Sequence, residues 1–232
     1  MQQSNTSIDI KHIRFLHHCS PEQLTEVENN MICTMYKKGQ TIFNDGSTPQ
    51  GVFYVNKGVL KLVRTNNEGK EQILRFAKEG DMLGYRAIIA DEPFVATAIC
   101  IDDVTACFIP RHLFSKLLDE NGNVMREILK SLSHELGVVE ERVQSLAQKS
   151  VRERLAETLL FLHDTFNHND KEDGVIHITL PREDIANIVG TATETIIRLL
   201  SEFKNDKYIE LDGKKIKIVN KPRLEKISSA SV

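Results

Sequence analysis

The chain has 232 residues, 41% of them hydrophobic and 27% charged, with a formal net charge of −3. That length suits one large domain or two ordinary ones, two being the expectation. So near-neutral a balance excludes a global basic field, and any nucleic-acid surface must be local.

Four cysteines, Cys19, Cys33, Cys100 and Cys107, lie far apart without a Cys-x-x-Cys pair. Their spacing argues against zinc, an iron-sulfur cluster or a disulfide-dense secreted scaffold, and predicts free, buried thiols. The N-terminal MQQSNTSIDI lacks the basic start and apolar run of a signal peptide, and nowhere do about 18 apolar residues run together. The expected compartment is the cytoplasm, with no membrane partner.

After a polar tail, Ser20-Pro21-Glu22-Gln23 predicts a helix start, with Ser20 as N-cap, Pro21 first in the helix and Gln23 closing a capping box; the helix should run to about Asn29. From Met31 to Pro110 the texture changes to short β-prone runs (TIF, GVFYV, VLKLV, QILRFA, ATAICI, VTACFI), punctuated by Gly39, Gly46, Gly51, Gly58, Gly69, Gly80 and Gly84. Such strands with turn glycines predict an antiparallel barrel or roll.

From Arg111 the pattern becomes helical. Met125, Leu129, Leu132, Leu136, Val139, Val143 and Leu146 alternate intervals of four and three, the a/d repeat of a coiled coil. So narrow a strip suits a partner helix and predicts self-pairing into a parallel dimer; packing on the barrel is the alternative. Lys149 opens a further helix with Val151, Leu155, Leu159, Leu162 and Phe166 on one face, followed by a polar loop, NHNDKEDG, and a strand candidate, IHITL.

The stretch IANIVGTATETIIRLLSEF, residues 185–203, starts as an amphipathic helix, stops at Gly190 and resumes after three residues. A steep helix-turn-helix needs such an abrupt stop, and glycine takes the positive φ it requires. Ile185, Ile188 and Val189 pack the first helix inward; Ile196, Leu199, Leu200 and Phe203 do so for the second. Thr193, Glu194, Ile197 and Arg198 remain outward on the turns that enter a major groove when this motif docks on DNA. Arginine can pair bidentately with guanine, glutamate can accept from cytosine, and at i,i+4 Glu194 and Arg198 can fix each other's rotamers. A solvated salt bridge and a Thr191-x-x-Glu194 capping box are the blander readings. Asp212-Gly213 between alternating runs predicts a hairpin with a type I′ turn, which completes a winged helix-turn-helix. From Gly213 onward Lys214, Lys215, Lys217, Lys221, Arg223 and Lys226 stand against the single acid Glu225, a local phosphate-binding patch.

Four stretches together resemble the Crp/Fnr family of bacterial transcription regulators. They are KKGQTIFNDGSTPQGVFYVNKGVLKLVRTNNEGKEQILRFAKEGDMLG, the heptad helix, VRERLAETLLFL, and LPREDIANIVGTATETIIRLLSEFKNDKYIELDGKKIKI. The resemblance implies an α+β fold: a jelly-roll-like double-stranded β-roll for sensing (1–110), a dimerisation helix (111–148) and a winged helix-turn-helix (149–232). It implies a homodimer that reads an inverted repeat through Thr191, Thr193, Glu194, Ile197 and Arg198, with Lys214 and Lys215 on phosphates and RNA polymerase as a further partner. Leu129, Leu132, Leu136, Val139, Val143 and Leu146 form the dimer strip.

Family members that bind cyclic AMP resemble G-E-L followed by R-S-A at their phosphate cassette. Here the matching residues are Gly84-Tyr85-Arg86 and Ala96-Thr97-Ala98, with Val139 and Glu140 where the dimer helix meets the adenine. These positions mark the expected effector pocket, but the phosphate arginine has become Ala96 and the ribose carboxylate Tyr85, which argues against cyclic AMP. Cys107 resembles the fourth cluster cysteine of the Fnr branch, whose N-terminal cysteine trio is absent, so an iron-sulfur cluster is not expected. Haem is an open alternative through His12, His17, His18 or His134, although lone histidines are more often surface residues. No phosphate loop, nucleophile elbow or metal-ligand cluster is present, so no catalytic or metal residue is assigned. The alternative function is a haem- or small-ligand-sensing module that acts through protein contacts.

Overall fold

The computed structural model describes residues 13–66, 69, 71–166, 176 and 179–229. They form two compact units that divide between Gly137 and Val138.

In the first unit a 3₁₀ turn, Arg14–His18, leads into α1, Pro21–Asn30. The predicted capping box is formed: the Ser20 hydroxyl accepts from the Gln23 amide, and the Gln23 side chain accepts from the Ser20 amide. Eight strands follow: β1 (Ile32–Tyr36), β2 (Thr41–Phe43), β3 (Gly51–Lys57), β4 (Val59–Thr65), β5 (Glu71–Lys78), β6 (Met82–Leu83), β7 (Thr97–Cys100) and β8 (Val104–Pro110). A short helix, α2 (Tyr85–Ala90), separates β6 from β7. They pair antiparallel as two sheets, β1-β8-β3-β6 and β2-β7-β4-β5, the expected roll.

Two strands escape the sequence pattern. In β1 Ile32 and Met35 are exposed while Cys33, Thr34 and Tyr36 are half-buried, so the strand lacks clean alternation, and β6 has only two residues. Gly51, read as a turn residue, lies inside β3 opposite Pro110. A Cβ there would stand 2.3 Å from the Ile109 carbonyl oxygen and 2.5 Å from the Phe108 ring, so close strand approach, not turning, requires glycine. The expectation of four free thiols also fails. Cys33 and Cys107 face each other in the β1–β8 register and are joined as a disulfide, 74 residues apart in sequence, where no spacing motif could signal it. Cys19 and Cys100 are free.

Segment 111–148 contains two helices, α3 (Arg111–Glu120) and α4 (Gly122–Gln148). Asn121 separates them: its side-chain oxygen accepts from the Asn123 and Val124 amides, capping α4, while its amide nitrogen donates to the His18 carbonyl. Leu113, Phe114, Leu117 and Leu118 of α3 join Ile13, Leu16, Val27, Val124 and Ile128 in a core built on Val52 and Tyr54 of β3 and Cys107 and Ile109 of β8, one face of the roll. The heptad strip is therefore divided in its environment. Met125 and Leu132 pack on that core, whereas Leu129, Leu136, Val139, Val143 and Leu146 are 47–60% exposed.

The second unit takes in the rest of α4 and then α5 (Val151–Phe166), α6 (Arg182–Val189), α7 (Thr193–Asn205), β9 (Ile209–Asp212), β10 (Lys215–Ile218) and α8 (Lys221–Ser228). Leu155, Leu159, Leu162 and Phe166 are buried along α5, as the periodicity predicts. The polar loop and two residues of the IHITL strand candidate, His177 and Ile178, lie outside the described residues; Ile176, Thr179 and Leu180 belong to no strand, although the Ile176 amide donates to the Ile216 carbonyl of β10. In the hairpin Asp212 pairs with Lys215, so the turn residues are Gly213-Lys214, one position later than expected. Only Gly213 has a positive φ, 55°. Type I′ requires two such residues, so that assignment is corrected. The C-terminal tail is likewise a helix, α8, capped by the Asn220 side chain and anchored by buried Leu224. Among the described residues no helix is long and apolar enough to cross a membrane.

Candidate nucleic-acid interface

Gly190 ends α6 at φ 73° and ψ 53°, and its amide and that of Thr191 both return to the Ala186 carbonyl. The last carbonyls of a helix lack donors from the helix itself. Here arginines supply them. Arg154 on α5 donates from Nε to the Val189 carbonyl at 2.9 Å and from Nη2 to that of Gly190 at 3.4 Å, while Nη1 holds the Lys149 carbonyl at 2.7 Å. Arg142 on α4 reaches the Ile188 carbonyl at 3.2 Å. Two cations thus sit at the negative end of α6 and fasten the turn to both α4 and α5. Sequence reasoning found the stop at Gly190 but not this clamp, since nothing in the spacing of Arg142 and Arg154 points to carbonyls more than thirty residues on.

Across the turn, Ile196, Leu199, Leu200 and Phe203 are buried as expected, and Glu194, Ile197 and Arg198 are exposed, with Thr191 and Thr193 half-buried. The predicted Glu194–Arg198 pair is absent. Arg198 instead donates to Glu202 one turn further on, and Glu194 makes no hydrogen bond or ion pair among the described residues. The carboxylate that wins is the one already anchored: Glu202 also receives Arg152 at 3.0 Å. Nor is the Thr191 capping box formed, because α7 starts after Ala192, without a side-chain cap.

Lys214 and Lys215 are exposed on the wing. Arg182, in the first turn of α6, donates to the Gly213 carbonyl at 2.9 Å and braces the wing tip. The longer basic patch expected from Gly213 onward is broken up by α8. Lys221 is paired with Asp164 of α5 at 2.8 Å, a contact that holds its ammonium above the ordinary lysine range. Arg223 and Lys226 line a cleft with Ser150, Arg152 and Tyr208. A helix distributes its cations around an axis, so Lys221, Arg223 and Lys226 of α8 do not share one face.

The expected effector residues do not converge. Gly84, at φ 87°, starts α2, and Tyr85 is buried behind it. Arg86 points to solvent and pairs with Glu92 at 3.2 Å. Thr97 accepts from the Asp45 amide at 3.0 Å, and Ala96 and Ala98 are buried in the roll. Val139 and Glu140 are exposed and belong to the second unit. Inside the roll Phe43 stacks on Phe94 with centroids 4.0 Å apart and on Phe53 at 5.7 Å.

Tyr85 instead lines a cavity of about 190 Å³ with Tyr54, Arg75, Asp81, Ser131, His134 and Glu135. Its hydroxyl is buried without a hydrogen-bond partner, and burial, with Glu135 nearby, pushes the phenol's pKa up. Burial likewise raises the Asp81 carboxyl. Arg75 and Glu135, both lining the cavity, form an ion pair at 3.4 Å. Of the haem candidates, His12 lies outside the described residues, His17 and His18 are exposed, and His134 lies at this cavity. Among the described residues no three His, Cys, Asp or Glu side chains are placed to share a metal ion. Cys107, in its disulfide, is not a free cluster ligand.

A clamped helix-turn-helix with an exposed polar leading face and a braced wing defines a DNA-binding regulator of the winged class, here joined to a β-roll. Comparison with known proteins agrees: a model of the cyclic nucleotide-binding domain matches residues 33–121, and one of the Crp-like helix-turn-helix domain matches residues 153–227. Electron transport regulator A of Shewanella oneidensis is 30% identical over 184 residues, covering 79% of this chain and 73% of the relative. The fumarate and nitrate reduction regulatory protein of Vibrio cholerae is 29% identical over 220 residues, covering 92% and 87%. The fold is shared with a Crp/Fnr-family regulator from Eubacterium rectale, at a TM-score of 0.77 and 22% identity over 94% of this chain and 99% of that one. FixK2 from Bradyrhizobium japonicum gives 0.74 at 22% identity over 87% and 99%. The chain belongs to the Crp/Fnr family of transcription regulators, which are not enzymes.

Proposed function

We propose that the chain is a cytoplasmic, effector-responsive regulator that binds an inverted-repeat duplex as a homodimer. The observation that carries this reading is the exposed face of Glu194, Ile197 and Arg198 on the first two turns of α7, beside the wing braced by Arg182. With the N-terminal part of α7 in a major groove, Arg198 donates to guanine, Glu194 accepts from cytosine and Ile197 meets a thymine methyl group. Thr191 and Thr193 with Lys214 and Lys215 contact phosphates and set the register. The strip Leu136, Val139, Val143 and Leu146 pairs with its copy, so that two readers lie about 34 Å apart on successive grooves. Residues 1–110 sense, 111–148 pair and 149–232 read, with RNA polymerase as the partner through which the bound dimer acts.

The effector site in this reading is the cavity at Tyr85 and Glu135 rather than the roll interior, where Phe43, Phe53 and Phe94 pack together. Absorption and native mass spectra of protein purified without air test for a bound molecule. Loss of such a molecule in Glu135→Ala but not in Arg86→Ala supports the assignment; the reverse overturns it.

The readout is tested by selecting binding sequences in vitro and measuring affinities for the selected duplex. Arg198→Ala is expected to cost roughly 1–3 kcal/mol and to relax preference at one base pair in each half-site. Wild-type affinity in that variant removes the assignment.

A further inference from the structure

Glu202 lies between two guanidinium groups. One of its oxygens accepts from Nη1 of Arg198, and the other accepts from Nη1 of Arg152 at 3.0 Å. Arg152, in the first turn of α5, is itself held at two further points. Its Nη2 donates to Asp206 at 3.0 Å, and its guanidinium carbon stands 4.8 Å from the centre of the Phe203 ring.

A lone i,i+4 pair on a helix surface contributes a few tenths of a kcal/mol and samples many rotamers. This one differs because its carboxylate is tethered from a second helix. Arginine carries five N–H donors in a planar fork, and two parallel bonds to a base require that plane to be oriented. Glu202 engages Arg198 at Nη1 and leaves the remaining N–H groups without a partner among the described residues. An arginine whose rotamer is fixed before contact loses less freedom on binding.

We propose that Glu202, anchored by Arg152, is a positioning residue that holds Arg198 in the orientation from which it reads its base pair. The inference rests on the proposed readout by Arg198. It has a signature that damage to the fold does not share. Glu202 is an anion close to the DNA surface, so removing it strengthens attraction to every duplex alike. Removing the orientation it imposes weakens only the distinction between right and wrong base pairs.

The test uses the full-length protein and its Glu202→Ala, Glu202→Gln, Arg198→Ala and Arg198→Ala/Glu202→Ala variants. Dissociation constants are measured at one salt concentration for a selected duplex and for the same duplex with the G·C pair assigned to Arg198 exchanged for A·T. Both Glu202 variants are expected to lose roughly three- to tenfold in the ratio of the two constants, within the lower part of the coupling found between residues in direct contact. Affinity for the exchanged duplex should stay the same or rise, and the double variant should discriminate no less than Arg198→Ala alone. If both Glu202 variants keep the wild-type ratio while Arg198→Ala loses it, the readout stands and the positioning role is wrong. Equal weakening on both duplexes also overturns it, as a purely structural role would produce. If Arg198→Ala itself keeps the ratio, the readout fails and this inference with it.

Discussion

At the scale of single residues, the chain shows how burial and anchoring decide between chemically equivalent choices. Glu194 and Glu202 are both one turn from Arg198, and helix-pair chemistry alone favours Glu194, the acid N-terminal to its cation. Arg152, forty-six positions before Arg198, overrides that preference by tethering Glu202. The thiols divide in the same way. Cys33 and Cys107 are linked, while burial raises both Cys19 and Cys100 to about 11. A thiol with that pKa is roughly one part in a thousand thiolate at pH 8, against a quarter or so for an ordinary cysteine. Alkylation at pH 8 should therefore modify Cys19 and Cys100 more than about a hundredfold more slowly in the folded protein than in urea. Peptide mapping without reductant should recover Cys33 joined to Cys107; rapid modification of all four cysteines in the folded protein contradicts the structure.

At the scale of elements, the helix-turn-helix depends on a backbone conformation and on the groups that hold it. Gly190 has φ 73°, where a Cβ costs roughly 1–2 kcal/mol. The added methyl would also stand 3.2 Å from the Leu146 side chain. Gly190→Ala is accordingly expected to destabilise the protein by about 1–2 kcal/mol in urea denaturation, with DNA affinity reduced as α7 is displaced from α6. An unchanged midpoint contradicts the strain. The stop at Gly190 was legible because one residue's conformational range encodes it. The clamp from Arg142 and Arg154 was not, because a bond to a distant carbonyl has no counterpart in side-chain periodicity. The turn of the wing slipped by one residue for a related reason: Asp212-Gly213 and Gly213-Lys214 both place glycine in the turn, and only the strand register separates them.

At the scale of the whole molecule, a chain of net charge −3 carries exposed Lys214 and Lys215 on its wing and an exposed apolar strip on α4. Val143, 60% exposed, lies in that strip. Val143→Asp places a charge against its own copy in the proposed dimer. Sedimentation should then report a monomer, and affinity for the inverted repeat should fall by about a hundredfold or more as the second half-site ceases to be held in place. A Val143→Asp protein that sediments as a dimer and keeps its affinity moves the interface elsewhere.

The sequence by itself determined the order of parts: a capped first helix, a glycine-punctuated β-roll, a heptad strip, and two short helices before a hairpin. Each is a local pattern, written in side chains that are neighbours along the chain or recur with the period of one element. The tertiary structure decided what lies between elements. It linked Cys33 to Cys107, turned the basic tail into α8, stacked phenylalanines inside the roll while placing Tyr85 at a cavity, and gave Arg198 to Glu202. Those outcomes depend on which distant groups meet, and a contact between distant groups is fixed only when packing excludes the alternatives.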